Sequence, residues 1–176
     1  PSSKPWPVPD VADNDLSPRG ALAGLDPGRS KCGLVLSDPD RRRVVAAALL
    51  SPEHTFEQLR RWRQSGALRL LVIGDGTGSR AWEPRLRGLL AVRRVDERGT
   101  TLAARQRYWQ LFPPRGWRRL LPSGLRQPPR DWDDVVAQLL LERWLGHPLA
   151  REAGLPLRRQ PSDAASAGEQ HGPGRG

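Results

Sequence analysis

The 176-residue sequence contains no methionine, one cysteine, one tyrosine and two phenylalanines. The lone Cys32 cannot close an internal disulfide, and it offers neither a CxxC pair nor a zinc-ligand spacing. No apolar run approaches the roughly 18–20 residues needed to span a bilayer. The opening residues also lack the basic-then-apolar order of a secretory leader. The expectation is a cytoplasmic protein with no membrane partner. Loss of an initiator methionine before Pro1, or a fragment, would account for the missing methionine. Hydrophobic residues reach only 37%, below the usual globular share, so part of the chain is expected to lie outside a core. The length suits one domain with a real core rather than two.

Acid is scarce too. There are 19 Asp and Glu against 29 Lys and Arg, a formal charge of +10, and 27 of the basic residues are arginine. Guanidinium forks match phosphate oxygens in bidentate fashion, so this balance favours a polyanionic partner. A GC-rich genome would also favour arginine over lysine, but it explains less easily the excess of base over acid. From Arg98 to Arg130 there are eight arginines and no acid, with Tyr108, Trp109, Phe112 and Trp117 among them. Arginine interleaved with aromatics suits backbone neutralisation and base stacking. The plainer alternative is that Tyr108, Trp109 and Phe112 pack a helix onto a sheet.

Residues 1–19 are rich in Pro, Ser and Asp and show no periodicity, which predicts a disordered lead-in. Residues 148–176 read by composition as a disordered tail. Between them, residues 20–147 read as one α/β domain. Strands are expected at 21–25, 32–37 and 43–49, joined by turn signals at Pro27-Gly28 and Asp38-Pro39-Asp40. Such short connections suit antiparallel hairpins. Ser51-Pro52-Glu53 opens a helix that Gly66 ends. A strand at 69–73, a helix around 80–90, a strand at 91–96 and a helix at 101–111 follow, and the last helix covers 132–145. The expected architecture is a mixed five-stranded sheet, three antiparallel hairpin strands and then parallel strands, flanked by helices.

Three acidic positions could carry chemistry. Asp26 ends the first strand, within Asp26-x-Gly28-x-x-Lys31-x-Gly33, where a buried acid needs a partner such as a metal ion. A turn acid satisfied by local amides is the ordinary alternative. Asp96-Glu97 lies where a strand gives way to a helix, and alternation lets only one of the two face a given site. Thr100 or Thr101 is a candidate cap for that helix. Asp133-Asp134 opens the last helix, where dipole capping is the plain alternative. Helical spacing turns Asp133 toward the sheet and leaves Asp134 as an exposed cap. Carboxylates from separate elements suit Mg²⁺ or Mn²⁺, which are hard, oxygen-binding cations. His54, His147 and His171 offer no competing ligand set.

Asp26-x-Gly28-x-x-Lys31-x-Gly33, Asp96-Glu97-Arg98-x-Thr100-Thr101, and Asp133 before an apolar helix together resemble the YqgF (RuvX-like) family over roughly residues 20–146. Its members are described as pre-16S rRNA nucleases or Holliday junction resolvase-like proteins. The stretch Pro113-Pro114-Arg115-Gly116-Trp117-Arg118-Arg119 is similar to that of cyanobacterial-type relatives. The resemblance implies an RNase H-like fold and acidic catalytic and metal-binding positions at Asp26, Glu97 and Asp133, with Asp134 as the alternative third acid. It also implies Lys31 as a phosphate contact, and the acid-free basic run adds Arg98, Arg115, Arg118 and Arg119 as candidate contacts to nucleic acid. This sequence departs from the family at Gly99, where many members carry Leu. It also carries Gly74-Asp75-Gly76-Thr77 rather than Gly-x-Pro, and Asp133-Asp134-Val135-Val136 rather than Asp-Ser-x-Ala. The function implied is hydrolysis of phosphodiesters in structured nucleic acid, either pre-16S rRNA ends in ribosome biogenesis or branched DNA, by a monomer or dimer. The competing readings are a non-catalytic nucleic-acid-binding protein and an actin-like kinase. The kinase would need a second similar domain that this length does not hold.

Overall fold

The computed structural model describes residues 20–86, 88–122, 126–152 and 154–159. The lead-in 1–19 and residues 160–176 of the expected tail lie outside this set. The chain runs β1 (Ala21–Asp26), β2 (Cys32–Ser37), β3 (Val44–Leu50), α1 (Pro52–Gln64), β4 (Leu68–Gly74), α2 (Thr77–Leu86), β5 (Ala91–Val95), α3 (Thr100–Leu111), a 3-10 turn (Gly116–Leu120), α4 (Asp133–Leu145) and β6 (Leu157–Arg159). Ser51 caps α1, accepting a hydrogen bond from the His54 amide, with Pro52 in the first turn where its missing N–H costs nothing.

The sheet order is β5-β4-β1-β2-β3-β6. β1, β2 and β3 form an antiparallel meander, and β4 and β5 add parallel strands on the other side of β1. This is the mixed sheet expected from the sequence, antiparallel hairpin strands followed by parallel ones. Alternation along each strand sorts the core into two layers. Ala21, Ala23 and Leu25 face α1 and α2 and pack with Leu59, Trp82 and Leu86. Leu22, Val35, Leu70 and Val72 face α4 and pack with Ala137, Leu141 and Trp144. No helix among the described residues is long and apolar enough to cross a membrane.

The sheet has six strands rather than five. β6 pairs in parallel with β3, Ala47 opposite Leu157, and Arg43 bridges to Ala150. Residues 148–152 and 154–159, which read by composition as tail, are thus described against the sheet. Leu149 is fully buried, its N–H donating to Glu142 Oε1 at 2.9 Å. A three-residue strand paired far along the chain leaves no local signature for composition to register.

α4 also differs from expectation. Asp134, Gln138 and Glu142, spaced four apart, are all buried beside its apolar residues. The helix is enclosed by the sheet on one side and by α3 and the Leu149–Arg151 segment on the other. Arg107 of α3 donates Nη2 to Glu142 Oε1 at 2.7 Å and to the Leu149 carbonyl at 2.9 Å. Gln138 Nε2 donates to Glu142 Oε1 at 2.8 Å.

Candidate functional site

Asp26 follows Leu22 and Gly24 on the α4 side of β1 and pairs in register with Gly33 of β2. Neither glycine could carry a side chain here. A β-carbon on Gly24 would collide with the Ala137 carbonyl, and one on Gly33 with the Asp133 carbonyl. Their bareness lets α4 lie directly on β1 and β2, which brings the first turn of α4 alongside the end of β1. Asp26 and Asp133 are neighbours for that reason.

Glu97 reaches the same region from the β5–α3 connection. Its carboxylate lies against the end of β4, where a β-carbon on either Gly74 or Gly76 would overlap it. The Gly76 N–H donates to this carboxylate, and Asp75 Oδ1 accepts the Glu97 N–H at 3.1 Å. The Gly74-Asp75-Gly76 segment, which departs from the family pattern, thus forms a cradle for Glu97. Arg143 of α4 fixes the connection from the far side. Its Nη1 donates to the Asp96 carbonyl at 2.6 Å and to Thr100 Oγ1 at 2.9 Å, and its Nη2 to the Arg98 carbonyl at 3.1 Å. The expected threonine cap is absent. Gly99 takes the N-cap position at φ 68°, a left-handed conformation that suits glycine, and the Thr100 hydroxyl turns back to the Glu97 carbonyl.

The electrostatics follow from this placement. Asp26 is pushed up from 3.8 to about 7, first by burial and then by the charges of Asp133 and Glu97. Burial also raises Glu97, against the Gly76 hydrogen bond. Asp133 is raised by burial too, against the opposing pull of Lys31. Lys31 Nζ lies 2.8 Å from Asp131 Oδ2 and 3.5 Å from Asp133 Oδ2. This lysine, a candidate phosphate contact by sequence, therefore already has carboxylate partners. Asp131 was not foreseen as one of them.

Asp134 is not the exposed cap that helical spacing suggests. It is fully buried, with Arg130 Nη1 2.7 Å from Oδ1 and Arg151 Nη2 2.7 Å from Oδ2. Both oxygens are taken up by guanidinium groups, and helical spacing misplaces Asp134 because α4 is buried on two faces rather than one. Asp133 is the acid of this pair with electrostatic reach to Asp26.

The donor types and the excess of negative charge fit a divalent cation. Among the described residues, however, no three His, Cys, Asp or Glu side chains converge as a ready ligand set. Asp26 feels the charges of Asp133 and Glu97, which come from two other elements, but the three acids close no shell.

The basic run sorts into two groups. Arg107 pairs with Glu142 and Arg130 with Asp134, and Arg126 donates to the Leu121 and Arg119 carbonyls. Arg98, Arg115 and Arg119 are exposed. The Arg118 side chain lies outside the described residues. Tyr108 is buried, with its ring centroid 5.2 Å from Trp109 and 5.0 Å from Phe112, so these aromatics are mainly packing.

No protein-family model and no curated protein sequence matches the chain. Solved structures do. The chain is similar to Thermus thermophilus RuvC in complex with a Holliday junction substrate, at 14% identity and a TM-score of 0.46, over 73% of this chain and 92% of that one. It is also similar to a second Thermus thermophilus RuvC structure, at 13% identity and a TM-score of 0.37, over 72% and 92%.

Proposed function

We propose that the chain is a metal-dependent nuclease that hydrolyses phosphodiesters in structured nucleic acid, with Asp26, Glu97 and Asp133 as its acidic centre. The observation that carries this reading is Asp26. A strand-end carboxyl pushed up to about 7 by burial and by two acids from other elements marks a site short of positive charge. Asp26, Glu97 and Asp133 would hold Mg²⁺ or Mn²⁺, while Asp134 is committed to Arg130 and Arg151. Bound divalent ions would supply water activation and stabilisation of the leaving oxygen.

The chain's own residues prepare the rest. The Gly76 N–H and the Asp75 carboxylate orient Glu97. Lys31 holds Asp133 and Asp131 together. The exposed Arg98 lies one residue from Glu97, where a guanidinium can bind a phosphate. The family resemblance supports pre-16S rRNA ends as the substrate, with branched DNA as the competitor.

The test is cleavage of an rRNA precursor and of a four-way DNA junction in Mg²⁺ or Mn²⁺, comparing wild type with Asp26→Asn. Wild-type cleavage that disappears in Asp26→Asn while binding persists supports the reading. Equal cleavage by both proteins would sink the site assignment, and binding without cleavage by wild type would sink the nuclease. Whichever substrate is cut decides between RNA and DNA.

A further inference from the structure

The aromatics of the acid-free run pack inward, with one exception. Trp117 is 64% exposed and Leu120 is 88% exposed. Both lie on the 3-10 turn Gly116–Leu120. Residues three apart eclipse on such a turn, so the indole and the leucine share one edge. Exposing this much apolar surface is unfavourable for a free chain, and side by side it marks a contact surface.

The turn is held in place. Gly116 enters it at φ 60°, a backbone conformation that β-carbons disfavour. Arg126 Nε donates to the Leu121 carbonyl at 2.8 Å and Nη2 to the Arg119 carbonyl at 3.1 Å. Trp109 Nε1 in turn donates to the Arg126 carbonyl at 3.3 Å. One guanidinium thus fastens the turn, and α3 fastens the segment that carries it. Arg115 and Arg119 flank Trp117 and are exposed. Arg115 also lines a groove of about 330 Å³ walled by Trp109, Phe112, Pro113 and Pro114.

An exposed indole on a fastened turn, flanked in sequence by exposed arginines and in a stretch without acid, fits a polyanion that also carries flat apolar faces. We propose that the Gly116–Leu120 turn is a stacking platform for an unpaired base of a nucleic-acid strand, with Trp117 against the base and Arg115 and Arg119 against its flanking phosphates. Bases inside a duplex have their faces covered by neighbours, so the platform selects single-stranded or frayed segments over continuous duplex. The proposal deepens the nucleic-acid reading above and rests on it. It would make the preferred substrate one with unpaired nucleotides beside a helix.

The experiment measures fluorescence anisotropy of labelled oligonucleotides in EDTA, so that cleavage does not intervene. A single strand and the same strand in a duplex are titrated with wild type, Trp117→Ala, Trp117→Leu and Trp117→Phe. Stacking predicts that Ala and Leu weaken single-strand binding about five- to a hundredfold, the range expected for one base–aromatic contact. Phe should retain most of the affinity, and duplex binding should change less than twofold. Arg119→Ala should weaken both substrates. Wild-type single-strand affinity in Trp117→Ala, or a Leu variant as good as Phe, would overturn the proposal. So would loss of a self-associated species by Trp117→Ala in sedimentation without change in single-strand binding, which would make the surface a contact between copies of this chain. Failure of the nuclease reading is separable. If Asp26→Asn cuts like wild type while Trp117→Ala loses single strands, the platform stands without the acidic centre. If wild type binds neither oligonucleotide, both fall.

Discussion

Gly74 and Glu97 share one volume: a β-carbon on the glycine would fall on the glutamate carboxylate. A backbone position on β4 therefore governs where an acid from the β5–α3 connection can rest. Gly74→Ala must push Glu97 out of its cradle, with an expected loss of about 1–3 kcal/mol from overpacking. Gly154→Ala is the control, since nothing lies within 4 Å of a β-carbon there. Urea denaturation of the two variants checks this, with Gly154→Ala expected to match wild type.

Asp26 predicts a pH signature. The folded state keeps its proton up to about 7, while the ordinary carboxyl releases it near 3.8. Between those values the folded state binds more protons than the unfolded chain, so this group lowers stability as pH rises through the window. Asp26→Asn removes that slope. The variant should melt above wild type at pH 8, and the gap should narrow as pH falls toward 3.8. Mn²⁺ added at pH 8 should raise the melting temperature of wild type and not of the variant. Thermal melts across pH, with and without the ion, test both halves.

Asp133 and Asp134 are adjacent but should behave differently. Asp134 and Arg151 have side chains 0% and 1% exposed, and Asp134→Ala leaves that guanidinium buried without its carboxylate. The expected cost is about 3–5 kcal/mol. Asp133→Asn should change stability little and abolish the cleavage proposed above. Chemical denaturation together with the cleavage assay separates the two roles. Two variants equally destabilised would contradict the division.

The arginine run should divide under a salt titration. Removing a phosphate-binding arginine lowers the slope of log K against log salt by about 0.7–0.9 per contact. Arg115→Ala should do this with unchanged stability. Arg107→Ala should lower stability, because its guanidinium serves Glu142 and the Leu149 carbonyl, and it should leave the salt slope unchanged.

Much of the sheet was legible because its signals are local. The turns at Pro27-Gly28 and Asp38-Pro39-Asp40 separate β1, β2 and β3, and Ser51-Pro52 marks the start of α1. β6 was not legible, because Leu157-Arg158-Arg159 is short and its partner strand is distant. α2 begins at Thr77 rather than near 80, as the glycines of Gly74–Gly78 hid its first turn. Helical spacing could not show that α4 is buried on two sides, and that misplaced Asp134. The three acids of the candidate site were visible as strand-end and helix-start residues. The cradle at Gly74 and Gly76 was not, since a glycine's closeness to a side chain 20 or so residues away is a property of the fold. Nor could a charge count tell Arg126, which fastens a turn, from Arg119, which faces solvent.

Arg151 and β6 have a consequence for the order of events during synthesis. A chain emerging from the ribosome presents Asp134 before Arg151, and β3 long before β6. Until residue 151 is out, a buried carboxylate on α4 lacks one of its two counter-charges. The α4 helix carries Asp133 and lies over the end of β1 beside Asp26, so the proposed acidic centre is completed only when nearly all of the described chain has been made. Arg158 of β6 likewise meets its partner late, donating to Gln58 of α1, 100 residues earlier.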